Sequence, residues 1–394
     1  MKVLIAEDDR VSRRMLQRQL EKWGHDVVAA VDGRDAWEKF QADDFSIVVS
    51  DWMMPEMDGI ELVRRIRESE TAGYVFVILL TARSKKEDII VGMEAGADDF
   101  LSKPFDRGEL RVRLRAGERV IELERSLAQR NALLEEANKR MTRDLEAAAR
   151  VQQSLLPSTM PDAAQVRFAW RYRPCDELAG DFLNVFRLGE QHIGMYVADV
   201  SGHGVAASLL SVSISRVMTP HASASSLLLK ADARGDYRVV PPGEVVAELN
   251  RRFPMEECGD RYFTIVYGVL NLQSREFRYA SAGHPPVVVL RPDQPPETLG
   301  VASLAVGWVA DVDYDEHTVQ LCSGDRVLLY TDGIPEAMSP EMEQLGEGRM
   351  LASIEQSRRQ PLEESVRSLV RLVEDWCGRT GPKDDLSLLA VEIV

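Results

Sequence analysis

The sequence predicts three parts: an α/β block with a doubly wound, five-stranded parallel sheet, one long helix, and an α+β sandwich. Three observations carry that division. Over residues 1–106 short apolar runs alternate with amphipathic ones. Over 107–156 nearly every residue is a good helix former, with no proline before Pro157 and no glycine after Gly117. Over 157–394 apolar strand-like runs dominate early and late, with helical segments between them. The expected domains are therefore 1–106, 107–156 and 157–394.

In the first block KVLIAEDD is predicted as a strand ending in acids and SRRMLQRQLEKWG as a helix stopped by Gly24. HDVVAAV, SIVVSDW, VFVILLTA and DDFLSKPF read as further strands. GRDAWEKFQADD, ELVRRIRESE and KKEDIIVGMEAGA read as the helices between them, and another helix starts near Gly108. Ligands of such sheets bind at the carboxyl ends of the strands. Glu7 and Asp8 end the first strand, Asp51 the third, Thr81 the fourth and Lys103 the fifth. Three converging carboxylates repel one another, and a hard, oxygen-ligated ion such as Mg²⁺ relieves that. Asp51 would then be a carboxylate nucleophile toward a phosphoryl group. Lys103 would neutralise the phosphoryl charge and the Thr81 hydroxyl would donate to it. Taken singly, each residue also reads as a solvating strand end or a turn.

IAEDD, DWMMPEMDG, LTA and SKPF, at these spacings, resemble the motif set of the CheY-like response-regulator receiver domain. The resemblance implies Glu7 and Asp8 as the metal-binding acidic pair, Asp51 as phosphoacceptor and further ligand, and the Met53 carbonyl as another. It implies contacts from Thr81 and Lys103 to the phosphoryl group. Phe100 falls at the aromatic switch position, where tyrosine is commoner. A sensor histidine kinase or phosphotransfer protein is the implied partner.

The middle stretch carries apolar or small residues every seven positions: Val120, Leu127, Leu134, Met141, Ala148 and Leu155. Its companion seam is broken, with Leu123, Ala137 and Val151 in place but Arg130 and Asp144 polar. A sustained heptad predicts pairing with a second helix as a coiled coil, hence a homodimer; the alternative is a single charged spacer.

Composition bounds the rest. At 45% hydrophobic and 28% charged, the 394 residues suit a globular protein. No run of eighteen apolar residues and no signal-peptide pattern occur, so no membrane association and a cytoplasmic location are expected. The four cysteines are far apart and form no CxxC pair, so reduced thiols are expected. The formal net charge is −16, and both end blocks are acidic, which argues against nucleic-acid binding.

In the last block HIGMYVADVSG, RYFTIVYGVLNL, EFRYASAG, PVVVLR, RVLLYTDG and LSLLAVEIV read as strands. Three helices are expected: Val205 to Met218, GEVVAELNRRF and LEESVRSLVRLVEDW. The first is rich in serine, alanine, leucine and valine on all sides, which predicts that it is well buried. Asp181, Asp199, Asp332 and Asp384 fall at strand ends or turns. A histidine-poor aspartate set favours Mg²⁺ or Mn²⁺ over Zn²⁺, and two such ions suit phosphate-ester hydrolysis. Each aspartate alone reads more simply as an ordinary turn residue.

AAARVQQSLLP, ELAGDF, YVADVSGHGVAASLL, SAGHPP, YTDGIPEA and DDLSLLAV resemble the SpoIIE/RsbU branch of the PPM-type metal-dependent serine/threonine phosphatases. The resemblance implies Asp181, Asp199, Asp332 and Asp384 as ligands of two Mn²⁺ or Mg²⁺ ions, with the Val200 carbonyl helping and Asp385 a weaker candidate. Asn184 stands where many relatives carry another aspartate, which implies a weakened accessory metal contact. His203 and His284 read either as general acids or as histidines shaping loops. The expected protein is a response regulator whose output is a serine/threonine phosphatase. Its implied substrate is a phosphorylated anti-sigma-factor antagonist, in partner-switching control of transcription. The rival is a catalytically silent adaptor that uses the same fold to present a surface.

Overall fold

The computed structural model describes residues 1–69, 73–82, 86–157, 159–220, 226–231, 237–300 and 302–394. They fall into two units, Met1–Arg140 and Met141–Val394.

The first unit runs β1 (Lys2–Ala6), α1 (Arg10–Lys22), β2 (Asp26–Ala30), α2 (Gly33–Ala42), β3 (Ile47–Asp51), α3 (Gly59–Glu68), β4 (Phe76–Thr81), α4 (Lys86–Glu94), β5 (Asp99–Ser102) and α5 (Arg107–Gln153). The sheet order is β2-β1-β3-β4-β5, with every pairing parallel. Strands buried on both faces read as unbroken apolar runs, which is why they were legible. Val3, Ile5, Ile47, Val49, Ile78 and Leu80 pack on one side with Leu16 and Leu20 of α1. Leu4, Val48, Val77 and Leu79 pack on the other with Phe40, Leu62 and Val63. Asp9, Asp32 and Asp58 start α1, α2 and α3, each accepting the backbone N–H three residues on at 2.8 Å. Such caps contribute about 1 kcal/mol each.

Helix α5 has 47 residues and is about 70 Å long at 1.5 Å per residue. Its first turns are part of the first unit's core: Leu110, Leu114 and Ile121 are buried against the sheet. The core of this unit thus continues past residue 106, where the motifs end. Val120 is half-buried, whereas Leu123, Leu127, Leu134, Met141, Ala148 and Val151 are exposed. Gln152 is buried again, within the second unit.

The second unit holds β6 (Val166–Arg173), β7 (Phe182–Leu188), β8 (His192–Val200), α6 (Val205–Val217), β9 (Leu229–Ala231), β10 (Tyr237–Val239), α7 (Pro242–Arg252), β11 (Phe263–Asn271), β12 (Glu276–Ala282), β13 (Val287–Leu290), β14 (Glu297–Leu299), β15 (His317–Gln320), β16 (Arg326–Tyr330), α8 (Gly346–Gln356), α9 (Leu362–Cys377) and β17 (Leu386–Ile393). Two antiparallel sheets form, ordered β15-β12-β11-β8-β7 and β14-β13-β16-β17-β6. The strand period of two sorts the side chains. Met195, Val197, Leu329, Leu389 and Val391 fill the space between the sheets. Tyr196, Ala198 and Val200 turn outward to α6 and α7. Leu328, Tyr330, Leu388 and Ala390 turn outward to α8 and α9. Along α9, Leu362, Val366, Leu369, Val373 and Cys377 form one buried stripe. Each fully buried large apolar side chain contributes roughly 1.5–3 kcal/mol.

Three expectations need correction here. A fourth helix, α8, stands beside the three foreseen; Gly346 and Gly348 at its start weaken its helical signal. Strands β6 and β7 escaped notice because arginines and Asn184 interrupt their apolar alternation. Helix α6 is not buried all round: Ala207, Ser208, Ser211, Ile214 and Ser215 face inward, while Leu209 is 62% exposed. Small serines, not its larger apolar residues, let this helix lie close to the sheet, and Ser211 Oγ donates back to the Ser208 carbonyl at 2.8 Å.

Candidate active sites

In the first unit β1 and β3 lie side by side at the point where strand order reverses. That is where doubly wound sheets bind ligands. Glu7, Asp8 and Asp51 present carboxylate oxygens within 4.8 Å of one another. Lys103 Nζ donates to Glu7 Oε2 and to Asp51 Oδ2, both at 2.6 Å. The Glu7 side chain is fully buried, and burial raises its pKa even though Lys103 pulls the other way. Burial would lower the Lys103 pKa, but the hydrogen bonds it donates to Asp51 and Glu7 more than reverse this, so its ammonium stays charged. Thr81 is buried at the end of β4, and its carbonyl accepts the Lys103 N–H at 2.7 Å. Met53 lies exposed in the loop after β3, and Phe100 is half-buried on β5 opposite Leu79.

In the second unit the acids sit at paired strand ends, of β7 with β8 in one sheet and of β16 with β17 in the other. Asp181 precedes β7, Asp199 lies near the end of β8, Asp332 follows β16 and Asp384 precedes β17. Burial, then Asp199 and Asp385, hold Asp181 well above the usual carboxylate range. Burial, then Asp332, Asp384 and Asp385, push Asp199 up to about 8. Burial and Asp384 push Asp332 up to about 6, and burial raises Asp384 as well. All four expected aspartates therefore share one electrostatic neighbourhood with too little positive charge to balance it. Such a set fits a divalent cation held through oxygen.

Close backbone approach makes this gathering possible. A Cβ on Gly180 would lie 2.7 Å from the Val200 carbonyl oxygen and 3.4 Å from Asp199 Oδ1. A Cβ on Gly333 would lie 2.1 Å from the Asp385 carbonyl oxygen. Only glycine fits at either place. Asp385 is buried beneath the cluster and accepts from the backbone N–H groups of Cys175 and Gly180, both at 2.8 Å. It holds the turn that carries Asp181. Thr331 Oγ1 donates to Asp181 Oδ2 at 2.8 Å and accepts from Ser387 N at 3.0 Å.

Cys175 had no functional signal in the sequence, and the other residues near the acids had only a motif or a residue type. Cys175 brings a thiol within 4.8 Å of ligand oxygens of Asp384 and Asp385, and burial with Asp385 pushes that thiol up to about 12. Gln152, from the end of α5, donates to the Ala179 carbonyl at 2.7 Å and to Ser211 Oγ at 3.0 Å. Only its place in the QQSLLP motif marked it out. Asn184 is not beside the acids. It shares its strand face with Phe182 and Phe186, pairs with Tyr196, and bonds its own neighbour's N–H at 2.8 Å. The expectation of a weakened metal contact at Asn184 is therefore corrected, since the strand alternation turns it to the helix side. His284 is buried, with Nδ1 2.8 Å from Thr264 Oγ1, and burial pulls its pKa down to about 3. That bond and its burial suit the reading of His284 as a histidine that shapes its loop. His203 is exposed, with Nδ1 3.0 Å from Asp176 Oδ2.

The family model for the response regulator receiver domain matches residues 3–115, and that for Stage II sporulation protein E (SpoIIE) matches residues 189–394. The transcriptional regulatory protein CseB of Streptomyces coelicolor is 46% identical over 114 residues, which are 29% of this chain and 47% of that protein. Protein IcfG of Synechocystis is 25% identical over 224 residues, which are 54% of this chain and 35% of that protein. The chain thus spans about half or less of the length of these curated relatives. The SiaA-PP2C domain of Pseudomonas aeruginosa superposes with a TM-score of 0.54 at 21% identity, covering 66% of this chain and 99% of that one. The RsbU and RsbW domains of a Mycobacterium tuberculosis protein superpose with a TM-score of 0.51 at 22% identity, covering 61% and 63%. Both likenesses establish the fold of the second unit.

Proposed function

We propose, from the premise that this chain belongs to the SpoIIE family of PPM phosphatases and carries a receiver domain ahead of it, that phosphorylation of Asp51 sets the rate of a metal-dependent protein serine/threonine phosphatase. The observation that carries this reading is the placement of Asp181 and Asp199 at paired ends of β7 and β8, and of Asp332 and Asp384 at paired ends of β16 and β17, with their charges pressing on one another.

In the receiver, Asp51 takes the phosphoryl group from a phosphohistidine of a sensor kinase or phosphotransfer protein, or from a small phosphodonor. Glu7, Asp8, Asp51 and the Met53 carbonyl would hold Mg²⁺. Lys103 already bridges Glu7 and Asp51 and is placed to neutralise an arriving phosphoryl group. Thr81 donates to that group, and Phe100 reports its arrival by a change of packing.

In the phosphatase, the four aspartates and the Val200 carbonyl would hold two Mn²⁺ or Mg²⁺ ions. Bound there, such ions supply an activated water and charge neutralisation for the phosphate. The chain's own residues fix the frame: Asp385 and Thr331 orient Asp181, and Gly180 and Gly333 let the turns close up. The substrate is a phosphoserine or phosphothreonine protein, and an anti-sigma-factor antagonist suits the family. Exposed Leu127, Leu134 and Met141 on α5 suit pairing of two chains through that helix.

The test is phosphate release from a phosphoserine protein by the full chain with Mn²⁺, then with chelator, then with beryllofluoride on the receiver. Turnover that needs Mn²⁺ and changes with beryllofluoride is the expected result. No turnover with Mn²⁺ in either receiver state would leave the adaptor reading in its place.

A further inference from the structure

The second unit builds a rigid loop whose most prominent product is an exposed tryptophan. Trp308 is 57% exposed, and its neighbours Leu304 and Val309 are exposed too. Exposure of a large aromatic on a well-held loop calls for a purpose. The loop is held with care. Asn250 of α7 is buried, and both ends of its amide are spent on either side of Trp308. Its Oδ1 accepts the Gly307 N–H at 2.7 Å, and its Nδ2 donates to the Val309 carbonyl at 2.9 Å. The Gly307 carbonyl in turn accepts the Met255 N–H at 3.0 Å, and Val306 bridges to Phe263.

Trp308 lies flat on Tyr262, with ring centroids 5.3 Å apart and planes 10° apart. Tyr262 ties this pair to the acid cluster. Its carbonyl accepts the Ser201 N–H at 2.9 Å, and its own N–H donates to Ser201 Oγ at 3.1 Å. Phe263 pairs with Val200 and Thr264 with Asp199. Strand alternation therefore puts Tyr262 on the face that carries Asp199, two residues further along. That is a separation of about 7 Å at 3.3–3.4 Å per residue. An extended peptide whose phosphorylated residue reached the acids would place a side chain one or two positions away against this ring pair.

We infer that Tyr262 and Trp308 form a docking platform for an apolar side chain within two residues of the phosphorylated residue of the substrate protein. This rests on the phosphatase reading above and adds a substrate preference to it. Charge selects the occupant. Glu256, Glu257, Asp260 and Asp311 are exposed in the segments that flank Tyr262 and Trp308, outnumbering the half-buried Arg261 there. Acidic flanks are repelled there, whereas an aliphatic or aromatic flank loses little by leaving water. Stacked tryptophan and tyrosine rings are the usual centres of such recognition.

The test uses the full chain with Mn²⁺, in both receiver states, on synthetic phosphoserine peptides with Leu or Asp two positions from the phosphoserine. Hydrolysis of para-nitrophenyl phosphate, which has no flank, serves as reference. The wild type should prefer the Leu peptide over the Asp peptide in kcat/KM by about tenfold or more. Trp308→Ser should lower that ratio severalfold through KM, leaving only the part that charge repulsion contributes, and Trp308→Phe should restore most of it. A wild-type ratio near one, or a ratio unchanged in Trp308→Ser, would overturn the platform, while turnover of the peptides would still uphold the phosphatase. Failure of every phosphate ester to turn over would overturn both.

Discussion

The chain holds two clusters of carboxylates, and they are balanced differently. In the receiver, Glu7 and Asp51 share the Lys103 ammonium at 2.6 Å, so the protein supplies its own cation. In the phosphatase, Asp181, Asp199, Asp332 and Asp384 press on one another, and three of them owe part of their raised pKa values to that repulsion. The difference matches what each site must do. A receiver has to persist through cycles of phosphorylation and metal exchange, so an internal cation keeps it assembled. Under the proposed metal-dependent hydrolysis, the second site can leave its charge open, because the missing charge would draw the ions in.

The comparison breaks most visibly at Asp199. Asp199→Asn removes one of the repelling charges and one ligand together. Phosphatase turnover with Mn²⁺ should fall about a hundredfold or more, since several kcal/mol of charge stabilisation depend on the ions. In chelator the same variant should melt higher than wild type. A variant that is inactive and also less stable in chelator would show that repulsion does not govern this site.

At the receiver the expectation has the opposite sign. Lys103→Ala leaves buried Glu7 and Asp51 without a partner, so the metal-free receiver should lose about 1–3 kcal/mol, discounted for the partly exposed lysine. Mg²⁺ should restore much of the loss, read by denaturant titration with and without the ion. An unchanged midpoint without Mg²⁺ would make Lys103 dispensable to the balance.

The pH response separates the two sites more gently. Asp199 titrates near 3.8 when unfolded and at about 8 when folded. Between those values the folded state keeps a proton that the unfolded state has lost, so stability should fall as pH rises across that window. Asp332, raised to about 6, adds to the fall over the lower part of it. In chelator the melting temperature of the phosphatase unit should therefore decline from pH 6 to pH 8, and saturating Mn²⁺ should flatten the decline. A flat profile in chelator would contradict the shifts.

The smallest structural effect belongs to the linker. Leu127→Asp with Leu134→Asp alters two exposed residues, so neither unit should change in stability by more than about 0.5 kcal/mol. On the proposed pairing, sedimentation should nevertheless show a dimer for the wild type and a monomer for the variant, with loss of the response to receiver phosphorylation. A monomer that still responds would turn attention from pairing to occlusion of the phosphatase by the receiver.

Much of this was legible in the sequence because the determinants are local. The receiver strands are continuous apolar runs, and their functional residues fall at fixed strand ends. Asp181, Asp332 and Asp384 carry glycine or polar neighbours that mark turns, and Asp199 lies just before Ser201 and Gly202 at a strand end. What was hidden depends on distant parts of the chain meeting. Asp385 holds Cys175 and Gly180 across more than two hundred positions. Gln152 reaches Ala179 and Ser211, and Asn250 reaches the loop around Trp308. The facing of Asn184 and of α6 followed from strand alternation and from small inward serines, which composition alone does not reveal.

On the proposed function, the state of Asp51 sets the phosphatase rate. The most direct measurement is the rate of phosphate release from one phosphoserine protein, at saturating Mn²⁺, by the wild type and by Asp51→Asn, each with and without beryllofluoride. The account predicts a change of about fivefold or more in the wild type, within the usual range of coupling between sites, and none in Asp51→Asn. Equal rates in the wild type with and without beryllofluoride, or an equal change in Asp51→Asn, would contradict it.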